Sequence, residues 1–388
     1  MRKTRPVWLL VCAAFLAPGR ASLAEGEGFE IDARYRMESV RDDSLPDDAF
    51  ASTLRLRLGY LSPERRGWQG LLEFEDVRQL GGGSYNSTAN GVSGSPVVAD
   101  PEDTELNQAW VRWQGDDRSV KVGRQRINIA NQRFIGAVGF RQNEQTFDAA
   151  MLLSHAFGGT LQAGYIARVN RIFGAHHPDP ELAVTDTQST LFDYERGFGR
   201  VVAGAYAQLM NFPDSPETSH RNIGIRVQAE HGRLDWRAEY ASQRRFKDGA
   251  RSIDATYYRL DLGWDFDAIH AGLTREVLGG DGAYSFQTPF ATLHGFNGAT
   301  DKFTETPPGG LVDDALHFNG RRALWQYGAA LHRFSSDTGS LHYGDELAGW
   351  AMRSIGEHLN VGLEIAGYSA DALAADTLKI WFSLNVRY

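Results

Sequence analysis

From residue 25 onward one pattern recurs: apolar and polar residues alternate strictly over segments of about 10 to 13 residues. Phe29, Ile31, Ala33, Tyr35 and Met37 alternate with Glu30, Asp32, Arg34, Arg36 and Glu38. Leu359, Val361, Leu363 and Ile365 alternate with Asn360, Gly362 and Glu364, and Leu378, Ile380, Phe382, Leu384, Val386 and Tyr388 with Lys379, Trp381, Ser383, Asn385 and Arg387. A period of two places successive side chains on opposite faces of a strand, so each segment predicts a β-strand with one apolar and one polar face. The count is about 18 segments, or about 16 without the eighth and fourteenth, whose alternation is weakest. After residue 24 no stretch is apolar enough for a transmembrane helix.

Alternation alone fits a soluble sandwich as well as a membrane barrel. The connections separate the two, because short and long ones alternate along the chain. Gly115-Asp116-Asp117-Arg118, Gly158-Gly159, His231-Gly232-Arg233 and Gly356-Glu357-His358 are tight. Residues 41–50, 81–104, 130–143, 174–186 and 279–310 make long connections. Tight turns at one end and long loops at the other predict an all-β fold, a transmembrane antiparallel β-barrel of the outer-membrane kind. Tyr60, Trp113, Tyr240 and Trp264 fall near segment ends, as interfacial aromatics would.

Cost decides which face meets lipid. An Arg on the lipid side at mid-depth costs about 2–4 kcal/mol, and the polar faces carry many ionisable groups, so those faces must line a hydrated lumen. On that phase the pore-lining candidates are Arg34, Arg36, Arg55, Arg57, Arg112, Arg168, Arg226, Arg237, Arg259 and Lys379, with Glu73 and Asp148 among the acids that share their faces. The competing role for any one of them is a cross-strand ion pair that stiffens the wall. One segment resists a simple phase: Ile127 and Ile129 would turn Arg124, Arg126 and Asn128 inward, yet Val120 and Val122 then share the inward face unless a bulge intervenes. Residues 130–143, rich in Arg, Asn and Gln and without clean alternation, are expected to fold into the mouth as a constriction. Residues 81–104 and 279–310 are the candidates for a closing loop.

The N-terminus has a secretory layout: Arg2, Lys3 and Arg5, then an apolar run from Val7 to Ala17, then small residues around Ala24. Residues 1–24 are therefore expected to be a signal peptide and 25–388 the barrel. Cleavage there removes Arg2, Lys3, Arg5 and Arg20 and no acid, taking the formal charge from -9 to -13, and removes the sole cysteine, Cys12. The barrel must then hold without disulfides. Its acidity disfavours nucleic acid as a partner. A composition of 42% apolar and 23% charged residues looks soluble only because the two strand faces average out.

Three blocks carry a resemblance: VVADPEDTELNQAWVRW (97–113), VGRQRINIANQRFIGAVGFRQNEQTFDA (122–149) and YSFQTPFATLHGFNGATDKF (284–303). They look like the blocks of the alginate export family of bacterial outer-membrane porins, and the resemblance extends over most of the mature chain. It implies a monomeric 18-stranded barrel in outer-membrane lipid, passage of the anionic polysaccharide alginate, secretion partners in the periplasm, and Arg124 and Arg126 of the GRQR motif as ligands of the polymer. The rival reading is a general or nutrient porin for small solutes, favoured by a lumen of mixed sign and by the net acidity. No catalytic role is expected: HExxH, GxSxG and a complete P-loop are absent, and His176-His177 with Asp179 and Glu181 reads as a solvated loop. The acidic loop residues, Asp42, Asp43, Asp47, Asp48, Asp100, Glu102 and Asp103, lack EF-hand spacing, so neither a metal nor a cofactor is expected.

Overall fold

A computed structural model describes residues 27–388, so the expected signal segment and Cys12 lie outside the described residues. Among the described residues eighteen strands follow in order: β1 (Gly28–Asp42), β2 (Ala49–Leu61), β3 (Trp68–Gln79), β4 (Asp103–Gln114), β5 (Arg118–Gln125), β6 (Thr146–Ala156), β7 (Gly159–Asn170), β8 (Val184–Phe198), β9 (Val201–Met210), β10 (His220–His231), β11 (Leu234–Arg245), β12 (Asp254–Phe266), β13 (Ile269–Leu278), β14 (Leu311–Arg322), β15 (Trp325–Ser335), β16 (His342–Ile355), β17 (Leu359–Ala370) and β18 (Thr377–Arg387). Each pairs antiparallel with its neighbour in sequence. β1 also pairs with β18, from Asp32 opposite Arg387 to Asp42 opposite Thr377, which closes the sheet and leaves no edge.

The faces are sorted as the alternation predicts. Leu58, Leu273, Leu347 and Leu363 are half exposed on the outside, whereas Arg36, Glu38, Arg55 and Glu75 are almost wholly buried inside. A soluble fold inverts that arrangement, while a barrel in lipid requires it. The eighth and fourteenth segments are full strands of 15 and 12 residues. β8 is hard to read because its first half presents Asp186, Gln188 and Thr190 on the outward side, and only Phe192 and Tyr194 restore the apolar phase.

Long connections and short turns segregate to opposite ends. Two of the long ones fold back into the cylinder. Residues 126–145 and 279–310 meet there through a parallel bridge between Ile135 and Phe290, with Gly136 N donating to Phe290 O (2.9 Å) and Thr292 N to Gln132 O (3.1 Å). A side chain at Gly136 would collide with Thr292 Oγ1, so this approach needs glycine. Phe134, Ile135, Phe286 and Phe290 pack with Phe147, Ile166, Tyr206, Tyr257 and Phe334 from the wall, giving the lumen an apolar core at its long-loop end. The expected constriction is therefore built from two segments joined to each other.

Candidate functional site

The lumen and its constriction form the candidate site. One sector of the wall is an ionic chain running across β1, β2 and β3. Arg55 bonds Asp32, Arg57 bonds Glu75, and Arg36 is held by Glu38 (3.1 Å) and Asp100. Arg126, just past the end of β5, joins Glu73 (2.8 Å) to Glu144, and Glu144 also meets Arg57 Nη2 (3.3 Å). About half a turn around the ring, Arg226 forms two 2.6 Å bonds to Asp193, Arg237 lies 3.6 Å from Glu239, and Arg259 bonds Asp261 at 2.8 Å and stands 3.6 Å from Glu276. Lys379 on β18 binds Asp301 at 3.0 Å, and Arg112, nearer the short turns, takes Gln69 (2.7 Å) and Glu64 (3.7 Å). Carboxylates thus neutralise most of the inward bases at close range.

Arg34 departs from this rule. Its Nε donates to Asn385 Oδ1 (3.0 Å), Nη1 to the carbonyls of Phe140 (2.8 Å) and Arg141 (3.2 Å), and Nη2 to the carbonyl of Gly139 (2.9 Å). Its donors are satisfied by neutral oxygens, so no carboxylate bonds it directly at the level of the constriction.

Three of the expected pore residues do not face the pore. The register places Val122 between Val111 and Ala150, which point outward, and two residues further Arg124 lies between Ala109 and Asp148 on the same outer face. Asp148 in turn lies opposite Arg168, whose Nε donates to Asp186 (2.7 Å), while Arg124 Nε donates to Asp148 at 2.8 Å. Arg124, Asp148 and Arg168 therefore form an ion-paired row outside the barrel, near the long-loop ends of their strands, where the lipid penalty falls to about 0–1 kcal/mol. The β-ladder stops at Gln125, so Ile127 and Ile129 belong to the inserted segment and carry no information on the phase of β5. Val120 and Val122 were the signal that would have set it correctly.

Sequence reasoning did not single out the residues that seat the loops. Buried Arg133 donates to Glu276 (2.8 Å), Thr288 (3.1 Å) and Asn297 (2.9 Å), joining the two inserted segments to β13. The His294 ring stacks on Phe140 with centroids 3.5 Å apart, and its Nδ1 meets Asp301 at 2.7 Å. Asp301 also receives Arg141 and Lys379, both at 3.0 Å. Burial alone would raise the carboxyl of Asp301, but His294, Lys379 and Arg141 hold it well below the usual carboxylate range. For His294, burial pushes the imidazole below its ordinary value, and Arg141 and Lys379 push the same way against Asp301. Glu346 on β16 accepts the backbone N–H groups of Ala299 (2.6 Å) and Thr300 (3.1 Å). The signal in the sequence was the density of Arg, His, Asp and Asn within two long segments, although their partners lie up to 164 residues away.

Several of the remaining loop residues have structural partners. Asp42 takes Lys302 at 2.6 Å, Asp100 accepts the Gln142 N–H at 2.9 Å, and His176 meets Asp103 at 2.6 Å. His177 bonds the backbone of Asp179, whose side chain caps a short helical turn at Pro180–Ala183.

A family described as alginate export matches residues 27–164, from β1 into β7, and this includes the first two of the three blocks that carry the resemblance. No curated protein matches. Among solved structures the chain is similar to OpdK of Pseudomonas aeruginosa, crystallised with vanillate (13% identity, 93% of this chain and 98% of that chain covered, TM-score 0.68). It is also similar to OccK9 (OpdG) of the same organism (13% identity, 93% and 97% covered, TM-score 0.73) and to OccAB2 of Acinetobacter baumannii (10% identity, 93% and 97% covered, TM-score 0.75). At these identities the likeness establishes the fold, the closed 18-stranded barrel of outer-membrane porins.

Proposed function

We propose that the chain is a passive outer-membrane channel for small hydrophilic solutes. The observation that carries this reading is the filled lumen. Residues 126–145 and 279–310 cross it, share a core with the wall and are bonded to β1, β13, β16 and β18. Such a constriction suits molecules that pass one at a time between side chains, and it obstructs a lane of the length a polymer needs. Compensated ion pairs along the wall keep the path wet without holding either sign strongly.

Passage of an anionic uronate polymer is the second reading. It is favoured by the family match over residues 27–164, the part of the chain that contributes Arg34, Arg36, Arg55, Arg57 and Arg126, and by the lack of a carboxylate bonded to Arg34. Small carboxylates fit both readings, since a guanidinium offers them paired donors. Planar-bilayer recordings with graded uronate oligomers separate the two. Small-solute passage predicts brief block by monomers and none by long chains. Block that lengthens with each added residue of the oligomer refutes it in favour of the polymer.

A further inference from the structure

The outer surface of β13 to β16 carries one charged residue per strand at a single level. The register sets Arg275 opposite Asp314, Asp314 opposite Arg333, and Arg333 opposite Asp345. Two residues along each strand toward the short turns, Leu262, Leu273, Leu316, Leu331 and Leu347 form an unbroken row that ends at Gly367. Gly367 leaves a notch there, since a Cβ at that position would meet only Leu378 at 4.0 Å. The charged row and the leucines together bound a groove of about 780 Å³.

The placement of this groove matters. The charged row sits near the long-loop ends of its strands, while Phe29, Tyr60, Trp68, Trp264 and Trp325 are exposed near the short-turn ends. Ionic and aromatic boundaries therefore mark opposite ends of the apolar belt. Neighbouring strands lie about 4.8 Å apart, so the two guanidinium groups, two strands apart, are separated by about 10 Å. Arg275 uses Nη1 on Asp314 (3.0 Å to both oxygens) and also bonds the Tyr258 hydroxyl, and Arg333 has one longer contact to Asp345 at 3.8 Å. Both side chains are at least half exposed, at 50% and 71%, and keep further N–H donors facing outward. The outer row of Arg124, Asp148, Arg168 and Asp186 repeats the charge order eight strands away, but there Arg124 already spends Nε, Nη1 and Nη2 on Asp148 and the Leu106 carbonyl. The row on β13 to β16 joins guanidinium donors that still face outward to an unbroken bed of leucines.

We propose that this groove is a site for a phosphorylated lipid of the leaflet on the long-loop side, with phosphate on Arg275 and Arg333 and an acyl chain along the leucine row. A guanidinium presents paired donors in the geometry of phosphate oxygens, and Asp314 and Asp345 keep the arginines extended at the lipid boundary. The inference rests on the membrane placement of the barrel.

The test is native mass spectrometry of the purified folded protein in detergent, titrated with a diphosphorylated, multiply acylated glycolipid and with the same lipid stripped of phosphate. Wild type is expected to retain the phosphorylated form about tenfold better. Arg275→Gln with Arg333→Gln abolishes that preference, and Arg168→Gln leaves it intact. Equal retention of the two lipids by wild type overturns the proposal whether or not the double variant folds, and so does an unchanged preference in a double variant that keeps its heat-modifiable mobility. A third outcome also overturns it: the order Arg, Asp, Arg, Asp is its own complement across a twofold axis, so a dimer that dissociates in the double variant would assign the face to a second copy. Failure of wild type to insert into lipid vesicles refutes the membrane reading itself, a result distinct from insertion without lipid preference.

Discussion

Replacing Arg133 with Met keeps the length of the side chain and removes all of its donors. Three groups lose a partner: Glu276, Thr288 and Asn297. Removing one member of a buried ion pair typically costs about 3–5 kcal/mol, because the other charge is left without compensation. Glu276 retains the Tyr257 hydroxyl at 2.8 Å and Arg259 at 3.6 Å, which places the loss near the lower end, about 3 kcal/mol. At about 1.4 kcal/mol per factor of ten, the ratio of released to seated constriction rises about a hundredfold. Single-channel recordings read this directly as larger conductance steps and longer open dwells. Glu276→Gln, which preserves shape and removes the charge, is expected to act in the same direction, and the double variant to add less than the sum of the singles because both break the same contact. Conductance and dwell times that match wild type in both single variants would refute the claim that this pair seats the constriction.

Acid is expected to loosen the same region. The contribution of Asp301, whose carboxyl is held low, is present above about pH 3.9 and is lost as pH falls through its depressed native value; that of neutral His294 begins to fall below about pH 6.5, because the buried site disfavours the imidazolium. Between pH 7 and pH 4 the His294 part alone falls, so conductance recorded over that range should rise, with a further rise below pH 4 as Asp301 takes up its proton; a flat profile contradicts this. Gly298→Ala places a Cβ at a φ of +89° against the Glu346 carboxylate, and it should cost about 1–3 kcal/mol and speed hydrogen exchange at the Ala299 and Thr300 amides. Arg34→Gln removes the base that lacks a carboxylate partner, so the reversal potential in a salt gradient should move toward cation selectivity; an unchanged potential would remove Arg34 from the ion path. Leu363→Arg introduces a charge on the outer face at mid-strand, and the urea midpoint for folding into vesicles should fall by the equivalent of about 2–4 kcal/mol, whereas an unaltered midpoint would place that face in water.

The barrel was legible because its instruction is local and repeated. Period-two alternation in β1 or β18 can be read without knowledge of any other strand, and loop length then orders the ends. The inward face of Arg34, Arg55, Arg226 and Lys379 followed from their own segments. Arg124 and Arg168 were misread for two physical reasons. Ile127 and Ile129, which suggest the opposite phase for β5, lie beyond its last ladder bond, and a register shift between Ile166 and Arg168 changes the face along β7. The constriction was legible only as a composition. What seats it, Arg133 on Glu276 and His294 on Asp301, depends on tertiary contacts of long sequence separation in one case and on an irregular backbone in the other, and neither leaves a periodic trace.

Without its inserted segments a cylinder of eighteen strands would have no core, and a wall joined only edge to edge bends easily across its width. The segment that contains Arg133 and Phe140 is fastened at one point to Glu276 on β13 and at another to Arg34 and Arg36 on β1, six strands further round the ring. It acts as a chord that fixes the distance between two parts of the wall. The stretch from Ala299 to Asp301 braces β16 and β18 in the same manner. The elements that narrow the path therefore also set the cross-section of the barrel, so a change that frees the passage also removes the internal bracing that keeps the cylinder round.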